Sequence, residues 1–423
     1  MSTLANELTK YTDYLIAAYD MCQEKNAIIP EERNLYNLSA CIQSIPAPIS
    51  YKIMTVQIDT SNPDPETSLT YADDAIGMTP GDSAWDTFFG HYPVLFKNGA
   101  EVGKLNPNNF NQYRSGLEAD ITSGDSGDVM IAFPRRGIKI FTNGNILTIS
   151  MTDNPNDPNF TYYAHSRGNI YKDKFYLGAY KGHVLDNKIR SLSGKEINRE
   201  QSCATCREQA QNNGQNYELS GFYQLIFRQC MYILKYKYLD SQLAVGMGYV
   251  DITHTEPIPT GGTESWGMDC ELIKITNSTY LTDQNHHMKL FGLEDFWGNI
   301  YEWIDGVITD ANLNILTATT DFNDNATGYT NQGPAATATS RIYGYLLKSQ
   351  GTSELGFIAK EATGKSTTEV WEYYCDVASI GVSCGARFGG FWNDNRATGC
   401  FLLSVSTKIT STADHVGSRL MYL

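Results

Sequence analysis

The sequence predicts an α+β protein, and three observations carry that reading. Two short helical periods open the chain. A long stretch of brief β-rich runs follows, punctuated by Gly, Asn, Asp and Pro. Two further helices then interrupt it, and short strands return from 341 to the end, an order that suits α+β rather than alternating βα units. No internal repeat of fixed period is visible in the 423 residues.

Leu4, Leu8, Tyr11, Leu15, Ala18 and Cys22 step by four and three, the spacing of one apolar helix face. A breaker at Ile29-Pro30 follows. The pattern resumes over 34–45 with Leu35, Leu38, Cys41, Ile42 and Ile45, and Pro46 and Pro48 end it. Residues 1–48 are therefore expected to form a helical hairpin, too small to stand alone. It reads either as an attachment or oligomerisation element or as a cap on the next domain.

Residues 49–165 form a β-rich segment with the runs TVQID, DVMIAF, IKIFT and ILTISM. Over 166–423, a polar helix is expected at 201–213 and a mostly buried one at 219–239, where LSGFYQLIFRQCMYILKYKYL is densely apolar. The stretches 255–270 and 308–340, rich in Thr, Gly and Asn, read as long irregular loops.

Composition narrows function. A net charge of −15 argues against a duplex nucleic-acid binder and against adsorption to anionic membranes. No apolar run is long enough to span a bilayer, and the N-terminus has no basic and then apolar leader pattern, so neither membrane insertion nor a signal peptide is expected. The 27 Tyr, 17 Phe and 6 Trp suit a binding surface or a β-rich core equally. Nine scattered cysteines, an odd number, fit reduced thiols made in a cytoplasm. The lone Cys203-x-x-Cys206 lacks the four ligands that structural zinc needs, and neither metal nor cofactor is expected.

The segment FGLEDFWGNIYEWIDG, Phe291 to Gly306, packs large apolar residues around a Gly298-Asn299 turn pair. Its acids Glu294, Asp295, Glu302 and Asp305 could pair for hydrolysis. The simpler reading is a buried turn whose acids cap backbone amides. This segment resembles the GxxDxxGNVxEW signature of the formylglycine-generating-enzyme family, a variant of the C-type lectin fold. In that family it is structural, which makes Trp297, Gly298, Asn299 and Trp303 scaffold residues. KFYLGAYKG (174–182) resembles the strand that opens that fold, and GARFGGFWND (385–394) its late RGGSW-type segment. Enzymes of the family use two cysteines near the C-terminus in an Arg-rich setting. Here only Cys400 follows the Gly-Gly element, so no enzymatic activity is expected.

The ending, RFGGFWNDNRATGCFLLSVSTKITSTADHVGSRLMYL, resembles the variable region of proteins diversified by retroelements, which also end in a C-type lectin fold. The frame is Gly389, Gly390, Trp392, Gly399, Val405, Val416, Gly417 and Arg419. The resemblance implies exposed variable positions at Phe391, Asn393, Asp394, Asn395, Ala397, Ser404, Ser406, Thr407, Ser411, Ala413 and His415, with Arg396 and Leu402 as additions. Diversification through template adenines cannot yield Lys, Glu, Gln, Met or Trp from an Asn codon, and none of the eleven main positions holds one. In CFLLSVS, alternation sends Phe401, Leu403 and Val405 to one face and Leu402, Ser404 and Ser406 to the other, so one face can be core and the other free to vary. Trp392-Asn393-Asp394 spells the calcium-ligating triplet of sugar-binding lectins, but the companion Glu-Pro-Asn is absent, since Glu256-Pro257 continues with Ile258.

The rest of the chain resembles, more loosely, tail proteins of gut phages and prophages. Together these resemblances imply a C-type lectin fold with extra strands and long loops behind the hairpin, with a variable region at about 387–423. They imply a virion tail protein, made in the host cytoplasm, that binds a bacterial surface receptor, protein or glycan. Other tail proteins and further copies of itself, a trimer for instance, would be its partners.

Overall fold

The first helical period becomes α1, Ser2–Glu24, and the second α2, Leu35–Gln43. Asn34 caps α2, its side-chain oxygen accepting the Asn37 N–H at 2.9 Å. The structure, a computed structural model, describes residues 2–44, 50–269, 285–336, 342–362, 374–377 and 381–423, with the side chains of 2–7, 342–343, 374–377 and 396 left out. It divides into two compact units, Met1–Tyr51 and Lys52–Leu423. In the first, Tyr19, Cys22 and Cys41 are enclosed with Leu15 and Leu38 packed against them. The Tyr19 hydroxyl donates to the Asn34 carbonyl at 2.8 Å. The rest of the expected apolar face is uneven: Leu8 and Tyr11 are exposed, as are Tyr14 and Tyr36, and the Leu4 side chain and Ile45 lie outside the description.

The second unit is mixed α+β, with strands predominating. TVQID, IKIFT and ILTISM all become strands of one antiparallel four-stranded sheet, in the order Leu69–Asp73, Ile53–Asp59, Ile146–Thr152, Gly137–Asn143. DVMIAF lies in Asp128–Pro134, inside a seven-stranded sheet. That strand pairs with Tyr92–Lys97 on one side and with Lys174–Gly178 on the other. The sheet therefore runs across the expected boundary at 165. The closing strand Leu420–Tyr422 enters the same sheet between Lys174–Gly178 and Tyr217–Leu219.

A short helix, α3 (Ala84–Phe89), buries Trp85, Phe88 and Phe89. The polar helix is α4, Cys203–Gln211, capped by Ser202. The buried helix is α5, Phe222–Tyr236, enclosed along nearly its whole length. It starts later than 219 because Tyr217–Leu219 is a strand, and it stops where Lys237 turns left-handed at φ 50°. Its two buried cations are paired. Arg228 donates to Ser220 Oγ at 2.9 Å, and Lys235 bridges Asp86 and Asp269.

A nine-stranded sheet holds the chain's two named motifs. Tyr301–Thr309 runs antiparallel to Cys384–Phe388, with Glu302 opposite Phe388 and an irregularity between Ile304 and Ile308. Val416–Gly417 joins its start in parallel. Cys384–Phe388 pairs onward with Leu403–Lys408. The expected irregular stretch at 308–340 is partly ordered, since Asn314–Thr317 and Thr330–Pro334 are strands of this sheet. The described part of 255–270 holds no strand.

Candidate functional site

The Gly-Gly element follows strand Cys384–Phe388 and reverses the chain at the sheet end. Gly389 and Gly390 take φ of 94° and 79°, the left-handed region closed to most side chains. A Cβ on Gly390 would stand 2.5 Å from Thr398 Oγ1. The Gly389 N–H donates to the Leu402 carbonyl at 3.1 Å, and its own carbonyl accepts from the Gly298 N–H at 2.8 Å. The Trp392 N–H donates to the Asn299 carbonyl at 3.1 Å. The two motifs are thus stitched together backbone to backbone. Trp392 is buried against Ile197 and Ile300. Asn299, itself at φ 61°, closes a ring with Ile258 by bonds of 3.0 Å in each direction and donates to Asp295 at 2.8 Å. Trp297 and Trp303 are fully enclosed, and Trp303 Nε1 donates to the Gln201 carbonyl at 3.1 Å.

Around this frame the expected variable positions separate. Asn393 is exposed. Phe391, Asp394, Asn395, Ala397, Ser406, Thr407, Ser411, Ala413 and His415 are partly exposed. The Arg396 side chain lies outside the described residues. Two expectations need correction. Leu402 is 1% exposed and packs in an apolar cluster with Trp303, Ile409 and Val416. Ser404 is enclosed beneath Arg387, whose Nε donates to its Oγ at 3.2 Å. Alternation in CFLLSVS is present, but a second apolar layer covers the face that was expected to be free. Only from Ser406 onward does that face reach the surface.

Beneath the surface lie supporting residues that the sequence did not single out. Phe391 stacks on Tyr301 at 5.8 Å between centroids and lies 4.8 Å from His415. Arg387 sits 4.4 Å over the Tyr301 ring and reaches His415 Nε2 at 2.7 Å. That contact assigns the acceptor role to Nε2, which leaves Nδ1 to donate to Asp414 at 3.0 Å. The partly exposed Phe391 and His415 therefore rest on Tyr301 and Arg387, which are buried beneath them. The order of the resemblance gave Phe391 and His415. Tyr301 and Arg387 lay inside the motifs, where regular strand positions disguised them.

The WND triplet serves the loop. Asn393 Nδ2 donates to the carbonyls of Ile252 and His254 at 2.7 and 3.0 Å, and an Asp394 oxygen accepts the Phe391 N–H at 3.2 Å. Next to them Tyr249 and His254 stack face to face at 3.8 Å.

The acids of the middle motif are committed elsewhere. Glu294 accepts from Gly261 N–H and Thr263 Oγ1 at 2.7 and 2.6 Å, which is the amide capping expected of it. Asp305 caps Gly306 and also takes both Nε and Nη2 of Arg207. Glu302 and Asp295 depart from the capping expectation. Glu302 pairs with Lys181 and Arg419, and Asp295 with His287. Burial alone would raise the Glu302 carboxyl, but Arg419, Lys181 and Arg228 together hold it down at about 2.

Among the described residues, one donor set could hold a metal: His287, Glu294 and Asp295 bring ligand atoms within 4.8 Å of one another. The hydrogen bonds at this point describe an ion cluster. Burial opposes charge on His287, but Asp295 and Glu294 push it up to about 10, so it sits protonated between two carboxylates.

Among the described residues, the cysteines of the second unit lie in closed surroundings. Cys203 and Cys206 face Arg207 and Asn198 respectively, and burial pushes both up, Cys206 to about 12. Cys400 is fully enclosed and raised well above its usual value by burial. No family's sequence model matches the chain, and no curated protein matches it.

Proposed function

We propose that this protein is a phage or prophage tail receptor-binding protein. In this reading residues 166–423 adopt a C-type lectin fold, and the surface around Phe391 binds a bacterial surface receptor without chemistry. The carrying observation is the division of labour over 389–417. Gly389, Gly390, Trp392 and Gly399 are tied into the core by backbone bonds and close contacts, while Phe391, Asn393, Ser406 and Ser411 reach the surface between or after them. Such a frame tolerates change at its exposed positions without repacking, which is what a diversified binding surface needs. The pairing of Leu420–Tyr422 with Lys174–Gly178, which brings the two ends of the segment together, supports the lectin reading.

The patch offers the Phe391 ring and the His415 imidazole, held from beneath by the buried Tyr301 and Arg387, and aromatic groups are enriched where partners are held tightly. Modest affinity per copy would be raised by many copies on one particle. The exposed Leu8, Tyr11, Tyr14 and Tyr36 suit residues 1–48 to attachment or self-association. A thiol-oxidase activity is disfavoured because Cys400 is enclosed and held as a thiol.

Two measurements test the reading. Deep sequencing of codons 385–423 in a propagated source population should show substitutions confined to the exposed positions, with Gly389, Gly390, Trp392 and Gly417 constant. Changing Phe391, Asn395 and Ser406 together should abolish or redirect adsorption to host cells. Unchanged adsorption would make the protein a structural decoration of the particle instead.

A further inference from the structure

On the other side of strand Tyr301–Thr309 from Cys384–Phe388, a cleft of about 580 Å³ opens beside strands Asn314–Thr317 and Thr330–Pro334. It lies within the range of roughly 300–1,000 Å³ seen for small-molecule sites. Tyr163 and Tyr223 form one wall, their ring centroids 4.8 Å apart. Thr317, Gln332, Asp321 and Glu354 line the rest, with further threonines and Asn169.

We propose that this cleft binds a neutral saccharide, at a site separate from the Phe391 surface and independent of the receptor reading. Three features point to that class. The lining is hydroxyls, amides and carboxylates around aromatic rings, with few aliphatic side chains, which matches a ligand carrying hydroxyls on its rim and C–H groups on its face. None of the described lining residues is basic, while Asp321 and Glu354 are acidic, so phosphate, sulfate and carboxylate ligands are repelled. The polar atoms are also held in place before any ligand arrives. Tyr223 Oη donates to Thr317 Oγ1 at 3.1 Å, Gln332 Nε2 donates to the same oxygen at 2.8 Å, and Tyr163 Oη donates to Glu354 at 3.3 Å.

The outer wall is built to stay put. Phe322 is buried against Gly306, where a Cβ would come within 2.8 Å of its ring. Asp324 pairs with Arg207 of α4 at 2.9 Å. Asn323 Nδ2 donates to the carbonyls of Asp321 and Thr327 at 2.8 and 3.0 Å. Asp321 and Ala326 take φ of 56° and 55°, a conformation that costs non-glycine residues on the order of 1 kcal/mol or more each and recurs where a surface is shaped for a ligand.

The test is calorimetric titration and saturation-transfer NMR of the full chain against neutral oligosaccharides of glucose, galactose and N-acetylglucosamine, with spermidine as the cationic control. Saturable binding of at least one saccharide is expected. Tyr163→Ala and Glu354→Gln should each weaken it at least tenfold. Asp321→Asn, at an exposed position that leaves packing untouched, should weaken it several-fold, and Phe391→Ser should leave it unchanged. Absence of saturable binding by every saccharide would overturn the proposal. So would binding indifferent to all three cleft variants, or spermidine binding that the saccharides fail to displace. Loss of adsorption in the Phe391 variant with saccharide binding intact would separate this site from the receptor surface.

Discussion

Arg419 Nε donates to Glu302 Oε1 at 2.6 Å, with both side chains fully enclosed. The rest of the guanidinium is spent on carbonyls: Gly178 and Ala179 from Nη1, Glu294 and Asp295 from Nη2, all between 2.7 and 3.1 Å. One side chain thus ties the closing Gly-Ser-Arg segment to the strand Lys174–Gly178 and to the Glu-Asp-Phe-Trp turn.

Breaking that pair should be costly. Arg419→Met removes a donor from four carbonyls, of which Ala179 keeps the Glu294 N–H at 2.8 Å, and leaves Glu302 short of its nearest cation, so a loss of about 3–5 kcal/mol is expected. Glu302→Gln should cost a similar amount, and the double variant should cost less than the sum of the two. Denaturant midpoints of the three variants check this. The pH dependence follows from the depressed Glu302 carboxyl. Its folded form binds fewer protons than its unfolded form, so its stabilisation is present above about 4.5 and is lost as pH falls towards about 2. Glu302→Gln should remove that part of the acid slope.

His91 gives a second pH prediction at a milder acidity. It stacks on Phe133, meets Phe291 edge-on, and neither ring nitrogen has a hydrogen-bond partner among the described residues. Burial lowers it to about 4 from its ordinary 6.5. The unfolded chain takes up its proton first, so folding loses stability as pH drops from 6.5 towards 4. His91→Phe removes that uptake and keeps the ring packing. At pH 5 it should raise stability relative to the parent by about 1–2 kcal/mol, with little change at pH 8. A variant that destabilises equally at both values would show that His91 is held by more than its neighbours' rings.

These two residues show where sequence reading stops. Helical spacing and β-rich runs located α1, α2, α4, α5 and four strands, because periodicity is a local property. The Gly-Gly-x-Trp frame was legible for the same reason: left-handed glycines and a buried indole leave a pattern in sequence. The partners of Glu302 were not legible. Lys181, Arg228 and Arg419 come from 181, 228 and 419, and only the fold brings them to one point. The same holds for His287 beside Glu294 and Asp295, and for Arg387 over Tyr301. Leu402 and Ser404 misled because strand alternation tells two faces apart but not whether a second layer covers the outer one.

That correction is itself testable. Leu402→Asn places an amide against Trp303 and Ile409 and should destabilise by several kcal/mol. Ser406→Asn and Ser411→Asn, at partly exposed positions, should stay within about 0.5 kcal/mol of the parent. Trp392→Ala should cost about 3–5 kcal/mol. Thermal melts of the four variants give the ranking. Tolerance of Asn at Leu402 would return that residue to the binding surface.

The last prediction concerns the thiols. Among the described residues, Cys203, Cys206, Cys230 and Cys400 of the second unit are all buried free thiols. Burial favours the neutral thiol, and alkylation needs the thiolate in contact with reagent. In native protein at pH 8, Cys203, Cys206 and Cys400 should therefore resist iodoacetamide, as read by mass spectrometry, and react together when denaturant opens the fold. Protection that rises and falls with global stability, for instance falling in Arg419→Met, would tie reactivity to unfolding. Selective fast labelling of Cys400 in the folded protein would instead mean an accessible thiolate beside the Gly-Gly turn. It would restore the thiol-oxidase reading that its burial now argues against.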